Sequence, residues 1–184
     1  MLKAEDRKLL AAVEGRVMFI EVPAKTFLMG EYCVLKGGPS LLLSTAPCFR
    51  VGRVAGLTEV SVVHPQSPAG IYLGEFLSDP HFLPQEIRFE DPYLGKGGLG
   101  GSGAQFLGAL ALTQKINKTP MDSAEALKAL DLFRKCSNPT NSLFSASGAD
   151  VVSQSMGRVC FFHGREIANS DWPINGIGFA IFRT

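Results

Sequence analysis

Apolar residues in this chain change their rhythm about halfway along. In the first part they come in short runs: Val17-Met18-Phe19-Ile20, then residues 26–29, 40–43, 49–54 and 60–63. Such runs, broken by Gly37-Gly38-Pro39 and Ala46-Pro47, predict strands joined by turns. Residues 65–94 contain Pro65, Pro68, Pro80, Pro84 and Pro92, which predicts mostly loop with one short strand or helix. From Ser102 onward the apolar spacing turns helical. Ser102 with Gln105 forms a capping box for a helix running to about residue 115, and Asp122 with Glu125 forms another for a helix to about residue 135. Leu127, Leu130 and Phe133 share one face of that second helix. Ser147, as N-cap with Asp150 at the third helical position, opens a third. Strand character returns at residues 159–162 and 178–182, and residues 1–14 have the pattern of a short amphipathic helix. Strands, then helices, then strands predict an α+β layout rather than strict βαβ alternation.

Composition narrows the class. A chain of 184 residues, 46% hydrophobic and 19% charged, is long enough for one domain with a real core. A net charge of +1, with no basic run, excludes nucleic-acid binding through bulk electrostatics. Cys33, Cys48, Cys136 and Cys160 are widely spaced, and so are the three histidines; no pair has metal-ligand spacing. The thiols are expected to be free, buried or partly buried, in a reducing compartment. Lys3, Glu5, Asp6, Arg7 and Lys8 surround a short apolar stretch, an acidic mix foreign to signal peptides, and no apolar run reaches membrane-spanning length. The expected setting is cytoplasmic, with neither nucleic acid nor membrane as partner.

Three stretches can carry chemistry. Gly95-Lys96-Gly97-Gly98-Leu99-Gly100-Gly101-Ser102-Gly103-Ala104 precedes an apolar helical run. Glycine is the costliest residue to order, so a dense cluster before a helix needs a reason, and close approach of backbone N–H groups to an anion supplies one. Lys96 adds a full positive charge. The spacing is not that of a Walker A loop. Gly98, Gly100 and Gly103 do fit Gly-x-Gly-x-x-Gly, but Glu90-Asp91-Pro92-Tyr93-Leu94 is a poor strand, and a dinucleotide site needs a strand there. A plain glycine turn capped by Ser102 is the bland alternative. The second stretch, residues 23–35, has Lys25 at a strand start and Gly30-Glu31 interrupting the strand pattern; taken alone it reads as a hairpin with an exposed lysine and glutamate. The third, Ser147-Gly148-Ala149-Asp150-Val151-Val152, is either a simple cap or a carboxylate at a helix start near a phosphate site.

Taken in order, these stretches resemble the GHMP kinase superfamily, the group of galactokinase, homoserine kinase, mevalonate kinase and phosphomevalonate kinase. Residues 23–31 resemble its Pro-x-Lys-x-x-Leu-x-Gly-Glu motif. Gly98-Leu99-Gly100-Gly101-Ser102-Gly103 resembles its Gly-Leu-Gly-Ser-Ser-Ala motif, and Ser147-Gly148-Ala149-Asp150 the segment bearing its catalytic aspartate. The details are most similar to phosphomevalonate kinase, including a lysine two residues before Gly98. The resemblance covers about residues 16–184 and implies an α+β GHMP-kinase N-terminal domain (ribosomal protein S5 domain 2-like) spanning residues 1–184. It also implies a C-terminal ferredoxin-like domain that would lie beyond the sequence, so the partner expected at the exposed side is that missing half or a second copy. The implied activity is transfer of the ATP γ-phosphoryl group to phosphomevalonate or mevalonate. Lys96, Gly97, Gly98, Leu99, Gly100, Gly101, Ser102 and Gly103 would hold ATP, with the Ser102 hydroxyl on Mg²⁺. Asp150 and Lys25 would be catalytic, and Glu31 and Ser147 would lie on the acceptor side. Four features depart from the pattern. Gly101 replaces serine, Gly103 replaces alanine, Ala24 replaces a common glycine, and residues 137–141 lack the glutamate that some members give to Mg²⁺. A non-catalytic remnant or assembly module of the same fold is the alternative, and a dinucleotide-binding protein a more distant one.

Overall fold

Two long antiparallel strands form the spine of the molecule. They are β1 (Met18–Met29) and β2 (Ser40–Arg53) in a computed structural model that describes residues 18–53, 63–76, 87–114, 120–137, 146–176 and 178. Each strand replaces two shorter ones expected from the sequence. Pro23 lies where the register shifts between Val22 and Ala24, and β1 is an edge strand, where a missing N–H is tolerated. Ala46-Pro47 falls opposite the same irregularity, between Thr45 and Phe49, so it is absorbed within β2 instead of making a turn.

The rest of the sheet hangs on β2. Its first residues pair with β4 (Val159–His163) and its last with β3 (Ile87–Glu90); β5 (Glu166–Ser170) extends β4. The order is β1-β2-β4-β5 with β3 beside β2, and every pairing is antiparallel. No parallel βαβ unit is present among the described residues, so the Gly-x-Gly-x-x-Gly match lacks the context a dinucleotide site requires.

Helices cover the sheet. A short helix α1 (Pro68–Ile71) runs into a π turn (Tyr72–Phe76), so the proline-rich segment holds a helix as well as β3. Helix α2 (Gly101–Gln114) buries nearly every residue from Gly103 to Leu112, which makes it the central helix. Helix α3 (Ser123–Ser137) keeps a polar side and buries Ala126, Ala129, Leu130 and Phe133. Its capping box forms as expected: Glu125 N donates to Asp122 Oδ1 at 2.8 Å, and Asp122 N donates to Glu125 Oε2 at 3.2 Å. Helix α4 spans Ala149–Met156. Phe106 of α2 is the hub of the larger core cluster, edge-on to Tyr72 at 5.7 Å and to Phe133 at 5.2 Å. A second cluster joins Leu42, Leu130, Val152 and Phe162.

Two expected caps are corrected. Helix α2 begins two residues early: Gly100 O accepts the first helical bond from Ala104 N, and Ser102 lies exposed in the first turn. Gly148, at φ +70°, caps α4, with its carbonyl accepting from Val152 N. Ser147 precedes that cap and Asp150 follows it by two. In both cases a glycine in the left-handed region turns the chain more sharply than a serine cap allows. Among the thiols, Cys136 and Cys160 are buried and Cys48 is half-buried, whereas Cys33 is exposed, contrary to expectation. The expected helix at residues 1–14, most of the 60–63 and 178–182 strands and the 138–141 interval lie outside the described residues. Among the described residues, no helix is long and apolar enough to cross a membrane.

Candidate functional site

The glycine stretch docks on the open edge of β1. Lys25 N–H donates to Leu99 O at 3.1 Å, giving the edge strand a partner that β2 does not supply. Asp91 organises the approach: its Oδ1 accepts from Tyr93 N and its Oδ2 from Gly95 N, both at 2.8 Å. The stretch then reaches the N-terminus of α2.

Around this turn lies a cavity of about 460 Å³. Lys25, Lys96, Ser102 and Asp150 line it, together with the glycines at 95, 97, 98, 100 and 101. Phe49 and Phe89, stacked with centroids 5.5 Å apart, form its apolar wall. Tyr93 tilts against Phe49 at 5.4 Å and donates its hydroxyl to Pro47 O at 2.7 Å. Burial pushes the Tyr93 phenol above its ordinary value, so the hydroxyl stays a donor.

Charge in the cavity is arranged unequally. Lys25 is 5% exposed, and its Nζ lies 3.3 Å from Asp150 Oδ1 and 4.4 Å from the centre of the Phe27 ring. The sequence suggested an exposed lysine; instead the ammonium is buried and held by a carboxylate and an aromatic face. Lys96 is exposed at the rim. The first turn of α2 contains no acidic residue. Its leading N–H groups have no acceptor within the helix and carry the positive end of the helix dipole. Cβ atoms built on Gly95, Gly97 or Gly98 would meet nothing within 4 Å, so this backbone faces open space. Such a surface suits an anion with several oxygens.

The donor set fits a metal less directly. Among the described residues there is no group of three or more His, Cys, Asp or Glu that could hold an ion. Both Asp91 oxygens are taken by backbone N–H groups, and Asp150 Oδ1 by Lys25. A divalent ion here would take its ligands chiefly from phosphate oxygens, with the Ser102 hydroxyl beside it.

Lys25, Asp150, Lys96 and most of the glycine motif thus come together. Leu99 contributes its carbonyl, and Gly103 is buried beneath the turn. Glu31 and Ser147 do not line the cavity. Glu31 is exposed in the turn after β1. Ser147 is tied to its own surroundings: its carbonyl accepts from Arg134 Nη2 at 2.8 Å and its Oγ from Ala149 N at 3.4 Å. Sequence reasoning missed Asp91 and Gln154. Asp91 had a legible signal, an aspartate before proline at the head of a glycine loop; Gln154 had none.

Neither a protein-family model nor a curated protein sequence matches the chain. Among solved structures, the chain is similar to Methanococcus jannaschii mevalonate kinase, with a TM-score of 0.55 and 13% identity over 86% of this chain and 57% of that one. A second structure of mevalonate kinase gives a TM-score of 0.51 and 13% identity, over 84% of this chain and 56% of the other. The chain therefore has the fold found in mevalonate kinases and spans somewhat over half their length.

Proposed function

We propose that this chain forms the nucleotide-binding part of a GHMP-type small-molecule kinase, which transfers the γ-phosphoryl group of ATP to phosphomevalonate or, failing that, to mevalonate. One observation carries the reading: Lys25, the glycine turn at the α2 N-terminus and Asp150 come from distant parts of the chain and line one cavity. The mevalonate-kinase fold supports it.

In this reading, bound Mg·ATP supplies the electrophilic phosphoryl group. The backbone N–H groups at residues 97–102 cradle its phosphates, and Lys96 offsets charge on the group in flight. The Ser102 hydroxyl would be the side-chain ligand available to the metal. Asp150 engages Lys25 through Oδ1, which leaves Oδ2 for the acceptor. An alcohol acceptor would give its proton to that oxygen. A phosphate acceptor is largely ionised at neutral pH, so Asp150 and Lys25 would then orient it and balance its charge.

Glycine at position 101, where the family carries serine, favours a second reading in which ATP binds without turnover. An ADP-release assay with phosphomevalonate and with mevalonate separates the two. Mg²⁺-dependent turnover, reduced by Asp150→Ala at least about 100-fold where the acceptor is the alcohol, is expected for the kinase. ATP binding with no ADP release from either acceptor would establish the second reading instead.

A further inference from the structure

The geometry points to Gln154 as the positioning residue that locks the glycine turn to the Lys25 strand, and to Gly103 as the space this lock requires. The inference rests on the nucleotide-site reading above and adds a residue to it.

Gln154 lies one helical turn after Asp150, on the same face of α4. That face grips β1 twice. Asp150 takes the Lys25 ammonium, while Gln154 Nε2 donates to Pro23 O at 2.8 Å. The same nitrogen donates to Gly100 O at 3.1 Å. Both N–H groups of the amide are thereby used on two carbonyls, which fixes which end of the side chain is nitrogen. Gln154 is 1% exposed, so little water is at hand to replace either bond.

The lock also explains two glycines that a phosphate cradle leaves unexplained. A Cβ on Gly103 would lie 2.4 Å from Gln154 Oε1, and one on Gly100 would lie 2.8 Å from Nε2 and 3.0 Å from Lys25 Cγ. Oε1 itself is buried without a hydrogen-bond partner and occupies the space a Cβ on Gly103 would need. A small residue at 103 and a long amide at 154 are therefore one fitted pair. The amide holds the Gly100 carbonyl, whose residue turns the chain at φ +90°, and so aims the first N–H groups of α2 at the cavity.

Two measurements on the intact chain test this: hydrogen–deuterium exchange across residues 95–103 without ligand, and ATP affinity by calorimetry. Gln154→Met keeps the length and removes both donors. It is expected to speed exchange in that window and to weaken ATP binding, each about tenfold. A Phe162→Leu control of similar global stability should do neither. Gly103→Ala alone should act like Gln154→Met, but in a Gln154→Ser background it should add less than about twofold. If Gln154→Met leaves exchange and affinity unchanged, the lock is wrong. Additive effects of Gly103→Ala and Gln154→Ser would also overturn it. Should Gln154→Met fail to fold, Gly103→Ala reads the same window without deleting a donor, and unchanged exchange there overturns the proposal. A wild-type chain that binds no ATP would defeat the nucleotide reading, while the exchange and double-variant arms would still decide the lock.

Discussion

The glycine-rich stretch has two halves that look alike in sequence and differ in structure. At Gly95, Gly97 and Gly98 an added Cβ would meet nothing within 4 Å, whereas at Gly100 and Gly103, and at Gly108 further along α2, it would meet protein within 3 Å. The first half is open toward a cavity and free to approach a ligand. The second half is small because strand, helix and glutamine press on it. One residue type thus answers two demands within a few positions, and a glycine motif is in part a packing motif.

Substitutions that fill space should separate the halves most sharply. Gly108→Ala would place a Cβ 2.3 Å from Val51 Cβ and Cγ2, where α2 crosses β2. It should cost about 3 kcal/mol in a denaturant titration. Next comes the carboxylate that holds Lys25. Asp150→Ala strands the Lys25 ammonium, which is 5% exposed, and should cost about 2 kcal/mol. Adding Lys25→Met should recover much of that loss, a non-additivity that a thermal-melt cycle would read. Gly98→Ala meets no atom but must hold φ +90°, so about 1 kcal/mol of strain is expected, together with weaker ATP binding. Gly97→Ala has neither clash nor positive φ and should change stability by less than about 0.5 kcal/mol. A Gly97→Ala loss comparable to that of Gly108→Ala would erase the distinction between the halves.

The thiols extend the contrast between open and packed positions to pH. Burial pushes Cys136 and Cys160 from 9.0 up to about 11. Unfolded, they ionise near 9; folded, they hold their protons longer. Their contribution is therefore complete below pH 9 and is lost as pH rises toward 11. Stability should fall across that window, and Cys160→Ala should flatten the fall. Iodoacetamide at pH 8 should reach exposed Cys33 and spare Cys136 and Cys160 until the chain unfolds.

Much of the fold was legible because it depends on local signals. The Asp122–Glu125 capping box formed, and helix α2 is helical through Gln114, the last described residue of its expected span. The merged strands were not legible, because Pro23 and Ala46-Pro47 are strong local breakers. Only the pairing of β1 with β2 shows that their irregularities coincide. Strand β5, Glu-Ile-Ala-Asn-Ser, lacks any apolar alternation and exists because β4 offers it an edge. In the site, the convergence of Lys25, the glycine stretch and Asp150 was implied only by the resemblance of their motifs to GHMP kinases; from the residues alone they read as a hairpin, a turn and a cap. The burial of Lys25 was not implied, since it depends on Phe27 and Asp150 closing over it. Gln154 was invisible in the sequence because its acceptors lie 131 and 54 residues away.

Titrating ATP with Mg²⁺ into the labelled chain while following backbone amide resonances tests the central claim most directly. The account predicts saturable shifts at residues 97–102, with little change at Gly103 and Gly108. A folded chain whose glycine-stretch amides stay still at saturating ATP, or shift no more than those of β5, would contradict it.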